Sequence, residues 1–277
     1  MSFAYYNGTF GRFEDIKIPL SDRSVFFADG VYDAAIGRSG RIFDEELHVA
    51  RFIENTEKIG LPFSFSEGEL RGLLREAVKR SGTEEFFLYF QASGYLSERL
   101  HAPRDKKQSN LLITVKPFTL PDRRKELRLS AFPDIRQRFC NVKTLNLLGS
   151  VLASEHAVSE ECDEAVFVRD GYVTECAHSN IFIVLGGTLI THPCDEKILP
   201  GISRRNVLLI AKRLGIKTCE RPFSLAELFS AEDVLITSTS KLALRAISLD
   251  GAPISQKKSD AGDAVIDEMF KCYRDFC

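Results

Sequence analysis

Two prolines within five residues, Pro117 and Pro121, interrupt the chain before its midpoint. Proline fixes its own φ angle and lacks a backbone N–H, so this segment opposes both a helix and an internal strand. A chain of 277 residues is also near the upper size for one hydrophobic core. The sequence therefore predicts a smaller N-terminal α/β domain over residues 1–118, a linker over 119–122 and a larger C-terminal domain over 123–277.

The composition is that of an ordinary globular protein, with 44% hydrophobic and 27% charged residues. A formal charge of −2 argues against nucleic acid as a partner, because phosphate neutralisation requires a concentrated basic face. No apolar run approaches the roughly 20 residues of a membrane helix, and the N-terminus lacks a basic and then apolar signal. We expect a cytoplasmic protein with no membrane association.

The cysteines and histidines show no metal-binding pattern. All seven cysteines lie in the second half without CxxC spacing, and the five histidines have no ligand spacing. We therefore expect reduced thiols and no metal.

Local patterns predict helices and strands in both halves. In the first half, Asn7-Gly8 marks a hairpin and residues 24–27 are predicted to be a strand. A helix is predicted from Asp44 to about residue 58, and a capping box at Ser66 starts the next one.

Residues 134–180 hold a lysine and a carboxylate that could share a cofactor. Lys143 directly precedes a helical pattern of apolar residues, so it is predicted to open a helix. Asp170-Gly171 lies between two apolar runs, which indicates a two-residue hairpin whose second strand ends at Glu175.

Two further segments have the character of a phosphate site. A helix start at Gly201-Ile202-Ser203 offers free N–H groups and a hydroxyl, and the hydroxyl cluster of residues 237–240 follows a strand. With Arg51 these groups would neutralise a phosphate. A phosphate site beside a lysine and a carboxylate implies pyridoxal 5′-phosphate as the ligand.

Many short runs of the sequence match one enzyme family in register. They are residues 21–23, 27–32, 46–52, 134–136, 142–149, 173–175, 179–182, 199–204 and 237–239. The sequence resembles the class IV (fold type IV) pyridoxal-phosphate aminotransferases, and most closely the D-amino acid (D-alanine) transaminases among them. The resemblance implies an α+β fold of two domains with the cofactor at the domain interface.

The resemblance also implies roles for individual residues. Lys143 resembles the Schiff-base lysine and proton shuttle, Glu175 the partner of the pyridine nitrogen, and Tyr32 the active-site tyrosine near the substrate carboxylate. Leu199 resembles the apolar residue packed on the ring. The residues that resemble the phosphate site are Arg51, Ile202, Ser203, Ser238 and Thr239.

The substrate is predicted from a loop that resembles the Arg-x-His pair of D-amino acid transaminases. In that group a neighbouring subunit contributes the pair to bind the α-carboxylate, so Arg99 and His101 imply a homodimer acting on D-amino acids and α-keto acids. The sequence departs from the pattern at His178, where a serine is expected, and at Asp33, where a glutamate is expected.

Three other functions remain open from the sequence. An aminodeoxychorismate lyase and a branched-chain aminotransferase share the lysine, the glutamate and the phosphate site. A catalytically silent protein that only binds the cofactor is the third.

Overall fold

The structure, a computed structural model, describes residues 2–102, 108–254 and 257–276. It divides into two compact units. The first contains the chain up to Thr119 together with Val142–Asn146, and the second contains Leu120–Asn141 and Leu147–Phe276. Both units combine helices with a sheet, which confirms the predicted α+β class. Within the three described ranges, every helix is too short or too polar to cross a membrane.

The first unit is built on a six-stranded antiparallel sheet in the order β2-β1-β6-β5-β3-β4. Its strands are β1 (Phe3–Tyr6), β2 (Thr9–Arg12), β3 (Gly30–Arg38), β4 (Arg41–Ile42), β5 (Glu85–Ser93) and β6 (Asn110–Pro117). Its helices are α1 (Arg23–Phe27), α2 (Glu45–Lys58) and α3 (Glu67–Ser81). The apolar faces of α2 and α3 cover the sheet and form its core, in which Phe52, Leu70 and Phe90 are fully buried.

Local capping explains where these helices start. Ser66 and Glu69 form the predicted capping box of α3, each side chain bonding the other residue's backbone N–H. Residues 24–27, predicted to be a strand, instead belong to α1. The prediction was wrong because the Asp22 side chain accepts a hydrogen bond from the Ser24 N–H at 2.8 Å, and this cap outweighs the strand propensity of valine and phenylalanine.

The lysine segment belongs to the first unit rather than to the C-terminal domain in which the sequence placed it. It does not open a helix but runs extended, with Thr144 bridging Val31 on β3. The Tyr32 N–H donates to the Lys143 carbonyl at 2.9 Å, and the Leu145 N–H donates to the Gly30 carbonyl at 3.0 Å. These long-range bonds, which local periodicity does not encode, fix the lysine backbone against β3.

The second unit is built on a ten-stranded mixed sheet in the order β12-β11-β10-β14-β15-β7-β8-β9-β13, with β16 paired to β15. Its strands are β7 (Glu126–Pro133), β8 (Glu164–Arg169), β9 (Tyr172–Cys176), β10 (Asn180–Leu185), β11 (Thr188–Thr191), β12 (Lys217–Glu220), β13 (Phe223–Ser224), β14 (Asp233–Ser238), β15 (Leu242–Leu249) and β16 (Ala252–Pro253). Its helices are α4 (Leu148–Ser159), α5 (Ile202–Arg213), α6 (Leu225–Phe229) and α7 (Asp260–Phe276).

Two turns lie side by side at one end of the strands of this sheet. The first, residues 177–179, joins β9 to β10, and the second, residues 239–241, joins β14 to β15. They are neighbours because β10 pairs with β14, with Asn180 opposite Thr237. We call this the turn edge. Glu175 lies just before its first turn, and Ser238 just before its second.

Candidate active site

In the first unit, the side chain of Lys143 lies over the ring of Tyr32. The ammonium nitrogen is 4.3 Å from the ring centroid, and the Tyr32 ring in turn stacks on Tyr89 at 5.3 Å. Burial and the neighbouring Tyr32 raise the pKa of Tyr89 above its usual value, so this phenol stays neutral. The structure therefore brings the predicted lysine and tyrosine together on a fixed aromatic support.

Behind Tyr32, a buried carboxylate holds the predicted phosphate arginine. Asp33 is fully buried and accepts hydrogen bonds from Arg51 Nε and Nη2, both at 2.8 Å, and it contacts His48 Nδ1 at 2.8 Å. Burial alone would raise the pKa of Asp33, but the charges of Arg51 and His48 outweigh it and lower the pKa. Asp33, noted in the sequence only as a departure, thus positions Arg51.

The predicted carboxylate-binding loop is held by Arg23 and Phe27. Arg23 donates to the carbonyls of Leu100 at 2.6 Å and of His101 at 3.2 Å. The Phe27 ring contacts the His101 ring at 5.1 Å between centroids and lies 5.5 Å from the guanidinium carbon of Arg99. Arg99 and His101 are themselves exposed, so the loop presents both side chains on the surface of the first unit.

In the second unit, the Glu175 carboxylate is buried and held from several sides. Arg136 Nη1 donates to it at 2.5 Å, Asn180 Nδ2 at 3.0 Å and the Leu199 N–H at 3.1 Å. The same Asn180 nitrogen donates to the Leu199 carbonyl at 2.9 Å, which ties the predicted ring-packing leucine to the predicted ring-nitrogen partner.

Arg136 connects Glu175 to a second buried carboxylate, Asp134. Its Nε and Nη2 lie 2.9 and 3.0 Å from the Asp134 oxygens. Burial on its own would lower the pKa of Arg136, but the charge of Glu175 and the Asp134 hydrogen bond outweigh it and raise the pKa. Arg136 is therefore a permanent cation between two anions.

The start of α5 and the end of β14 supply the predicted phosphate groups. Ile202 and Ser203 open α5 and are buried, and Gly201 is its N-cap residue. A Cβ atom at Gly201 would overlap the Asn180 amide oxygen. Only glycine therefore allows the start of α5 to approach Asn180, which bonds Glu175, so closely. Ser238 ends β14, and its hydroxyl lies 3.4 Å from that of Ser240.

These groups fit a phosphate dianion. The Thr237 hydroxyl is buried and, among the described residues, has no hydrogen-bond partner, which is the condition of a group that awaits a ligand or water. The α5 N-terminus adds unsatisfied backbone N–H groups and the positive end of a helix dipole. Hydroxyls and helix amides are the donors that suit a phosphate monoester.

Comparison with known proteins now decides the family. The model of the family described as amino-transferase class IV matches residues 30–249. The chain belongs to the class IV aminotransferases. It is therefore an enzyme that moves amino groups between amino acids and keto acids, and its cofactor is pyridoxal 5′-phosphate. The donors described above are consistent with that cofactor.

Individual relatives cover nearly the whole of this class IV aminotransferase. The D-alanine aminotransferase of Staphylococcus epidermidis is 34% identical over 254 residues, which is 91% of this chain and 90% of the relative. That of Staphylococcus aureus (strain N315) is 33% identical over 276 residues, or 99% and 98%. The branched-chain aminotransferase of Thermoproteus uzoniensis superimposes with a TM-score of 0.89 at 23% identity, covering 97% and 93%, which shows a shared fold.

Several positioning residues of this class IV aminotransferase carried no assigned role in the sequence. Arg136 and Asn180 lie in runs that match the family, but their bonds to Glu175 become visible only in three dimensions. The ion pair of Glu164 and Lys241 is likewise visible only in the structure, because these residues are 77 positions apart in the sequence but 3.0 Å apart in space. The signal available in the sequence was a charged residue in an apolar strand, Glu164 in β8, because a charge buried in this way needs a partner.

Proposed function

We propose that this class IV aminotransferase transfers amino groups between D-amino acids, such as D-alanine, and α-keto acids. The observation that carries the proposal is the loop that presents Arg99 and His101 from a fixed support on Phe27 and Arg23. A guanidinium beside an imidazole suits an α-carboxylate, because the guanidinium fork donates two parallel hydrogen bonds. The identity to D-alanine aminotransferases supports the same substrate class.

Lys143 is proposed as the residue that binds the cofactor and moves the proton. When bound, the cofactor ring withdraws electrons from the substrate α-carbon, so that the α-hydrogen can leave as a proton. The Lys143 amine would accept that proton and deliver it to the cofactor within the same half-reaction, and it would move a proton in the opposite direction in the return half. Tyr32, whose ring lies under the amine, orients it and contributes to the substrate carboxylate site.

Glu175 and the phosphate groups are proposed to hold the cofactor at its two ends. Glu175 would accept a hydrogen bond from the ring nitrogen and keep it protonated, and Leu199 would pack on the ring. The groups proposed for the phosphate are Arg51, Ile202, Ser203, Ser238 and Thr239.

A homodimer is part of the proposal, because the loop of Arg99 and His101 would act in the neighbouring subunit. Helix α4 supports it with an exposed apolar surface at Leu148, Val151 and Val158, which are 72%, 46% and 73% exposed. Such a surface is typical of an interaction site. Light scattering should give a mass near twice the 31.1 kDa of one chain. A cytoplasmic location stays a prediction from the sequence.

A donor screen tests the proposal directly. The holoenzyme is mixed with each D- and L-amino acid, and the half-reaction is followed by loss of the cofactor's visible absorbance. We expect D-alanine and other D-amino acids to react, and Lys143→Ala to lower turnover by about 10³-fold or more. Lys17→Ala, at an exposed position, serves as the matched control.

Other outcomes would replace the proposal. Reaction with branched L-amino acids alone would indicate a branched-chain aminotransferase. Pyruvate release from aminodeoxychorismate without D-alanine turnover would indicate the lyase. A coloured protein that reacts with no amino acid would be a silent cofactor-binding protein.

A further inference from the structure

The second unit contains a groove between helix α5 and strand β12, the strand at one edge of its sheet. Its volume of about 690 Å³ is within the range of about 300–1,000 Å³ that is typical of small-molecule sites. One end includes Gly201 and Ile202, and the groove follows α5 to the opposite end of the helix and the turn at Gly215. We call it the α5 groove. It extends along the helix away from the proposed phosphate groups.

Apolar side chains supply part of the lining of the α5 groove. They include Leu208, Leu209 and Ile216. Leu208 and Ile216 are half-buried, and Leu209 is 49% exposed. An apolar surface that faces water gains free energy when the apolar part of a ligand covers it. This part of the lining therefore favours a ligand with an apolar body.

Basic side chains line the same groove. Among the described residues of its lining, Glu220 is the one acid, and four residues are basic: Arg204, Arg205, Lys212 and Lys217. Within the described ranges, Arg205, Lys212 and Lys217 form no ion pair. The chain as a whole has a formal charge of −2, so this excess of positive charge is local. A concave surface lined by charge of one sign attracts ligands of the opposite sign.

Arg204 adds a buried cation whose charge the protein only partly compensates. The residue is 4% exposed, and its Nη2 atom donates to Glu220 at 2.6 Å and to the His192 carbonyl at 2.8 Å. Its Nε atom is buried and has no hydrogen-bond partner among the described residues. The Glu220 side chain is 49% exposed, so water screens the only carboxylate bonded to Arg204 in the described part of the chain. Arg204 therefore strengthens the positive potential of the groove.

The spacing along α5 places an apolar residue between two cations. Arg205, Leu209 and Lys212 are separated by four and then three positions, so they lie on one face of the helix. All three line the α5 groove. The helix rises by about 10 Å from Arg205 to Lys212. A ligand in the groove therefore meets apolar surface next to a cation at either end of this face.

We propose that the α5 groove binds an amphiphilic organic anion, namely a carboxylate or a phosphate monoester on an apolar chain or ring. The apolar body covers Leu208, Leu209 and Ile216, and the anionic group pairs with basic side chains that have no ion-pair partner in the described protein. A neutral apolar molecule would leave the cations unpaired, and a small inorganic anion would leave the leucines in water. Binding requires no step of the proposed reaction, so the two proposals are tested separately.

Calorimetric titration of the holoenzyme tests the chemical class of the ligand. The probes are octanoate, octyl phosphate and octanol, which share one apolar chain and differ in the head group. We expect at least one of the anions to bind about tenfold or more tightly than octanol, the usual value of a charge-assisted contact. The two anions distinguish a carboxylate ligand from a phosphate ligand. Octanol that binds as tightly as both anions would overturn the proposal.

A pair of double variants tests the role of the groove cations. Arg205→Ala/Lys212→Ala removes two cations of the lining, and we expect it to weaken binding of the preferred anion by about tenfold or more. Arg213→Ala/Arg221→Ala is the control, because it removes two exposed cations of the same unit that lie outside the lining and are ion-paired. It should change binding by less than about twofold. Equal weakening in both double variants would mean that the overall charge attracts the anion, and the site would be rejected.

A pair of single variants tests the apolar part in the same titration. Leu209→Glu places an acid in the groove at an exposed position, so it should preserve the fold and weaken anion binding by about tenfold or more. Leu214→Glu is the control, because Leu214 is 44% exposed at the end of the same helix but does not line the groove. It should leave the affinity within about twofold of the wild type.

Cys194 reports the position of the ligand without any substitution. This exposed cysteine lines the groove, whereas Cys272 on α7 does not. At a ligand concentration of about ten times Kd, alkylation of Cys194 by iodoacetamide should slow about tenfold, because only the unbound fraction reacts. Peptide mass spectrometry measures both cysteines. An anion that binds without protecting Cys194, and with unchanged affinity in the groove variants, occupies another site and overturns the inference.

Discussion

Each unit contains a buried carboxylate bound to an arginine, and the two pairs differ in what else holds the arginine. In the first unit, Arg51 directs two nitrogens to the fully buried Asp33. In the second, Arg136 bonds Glu175 and also makes two hydrogen bonds to Asp134. The carboxylate of the first pair is thus shared with His48, whereas the arginine of the second pair also contacts Asp134, which Arg169 contacts at 3.0 Å as well.

The difference predicts unequal losses of stability when each of the two carboxylates is neutralised. Removing one partner of a buried ion pair leaves the other charge uncompensated, which costs several kcal/mol. Neutralising Asp33 removes the anion that both Arg51 and His48 contact, whereas neutralising Glu175 leaves Arg136 bound to Asp134. Because Arg136 keeps its hydrogen bonds to Asp134, a change at Glu175 should cost less stability than a change at Asp33. Of the two carboxylates, Glu175 is therefore the one for which we propose a role in the reaction, and Asp33 is the one whose loss should cost more stability.

Asp33→Asn should give the largest effect of this comparison. The amide keeps the shape but loses the charge opposite Arg51 and His48, so the free energy of unfolding should fall by about 3–5 kcal/mol. Urea unfolding followed by circular dichroism measures it. The control is Asp15→Asn, which removes the partner of Arg12 in an exposed pair of the same unit and should change stability far less. Equal losses in both variants would contradict the distinction.

Glu175→Gln should instead lower activity with a small change in stability. The amide cannot keep the ring nitrogen protonated, so kcat should fall by about 10²–10³-fold, the usual cost of removing one group that stabilises developing charge. Steady-state kinetics with D-alanine and the urea midpoint are measured together. Glu160→Gln, an exposed carboxylate after α4, is the control. A midpoint shift as large as that of Asp33→Asn would show that Asp134 does not compensate.

Asn180→Ala should have an intermediate effect on activity, and it tests what aligns Glu175 in the second pair. Its side chain donates to both Glu175 and the Leu199 carbonyl, so its loss removes the alignment of the two groups but neither group itself. We expect kcat/KM to fall by about tenfold, equivalent to one hydrogen bond to a charged group. A loss as large as that of Glu175→Gln would mean that Asn180 contacts the reacting atoms.

Local features of both units could be read from the sequence. The capping box at Ser66 and the hairpin at Asp170-Gly171 are short-range signals, and the structure contains both. The family motifs likewise predicted the α+β class and the cofactor. These features depend on residues a few positions apart, where propensity and turn chemistry dominate.

The contacts that distinguish the two units could not be read in this way. Arg136 meets Glu175 across 39 positions, and Lys143 joins the first unit through bonds to β3 more than 100 positions earlier. No pattern of apolar periodicity records such pairings, because they arise when separate elements pack. The prediction that Lys143 opens a helix failed for this reason. The role of Asp33 was missed because a single aspartate in a strand gives no indication of its partner.

The smallest expected effect is the dependence of stability on acid pH. Burial alone would raise the pKa of Asp33 and of Glu164, but their basic partners lower both values, that of Glu164 to about 2. A lowered folded-state pKa means that the unfolded chain binds protons first, near its ordinary values of about 3.9 for Asp and 4.3 for Glu. The stability from these pairs is complete above that range and is lost as the pH falls through it toward 2.

Urea unfolding between pH 6 and pH 3 measures this dependence. We expect the free energy of unfolding of the wild type to fall steadily below about pH 4.5. Asp33→Asn should show a shallower slope, because it has already lost the charge that protonation removes, and Glu164→Gln should do the same. A slope that is unchanged in Asp33→Asn would place the acid sensitivity elsewhere and would mean that the Arg51 pair contributes no net stability. The comparison of the two arginine pairs would then rest on Glu175 alone.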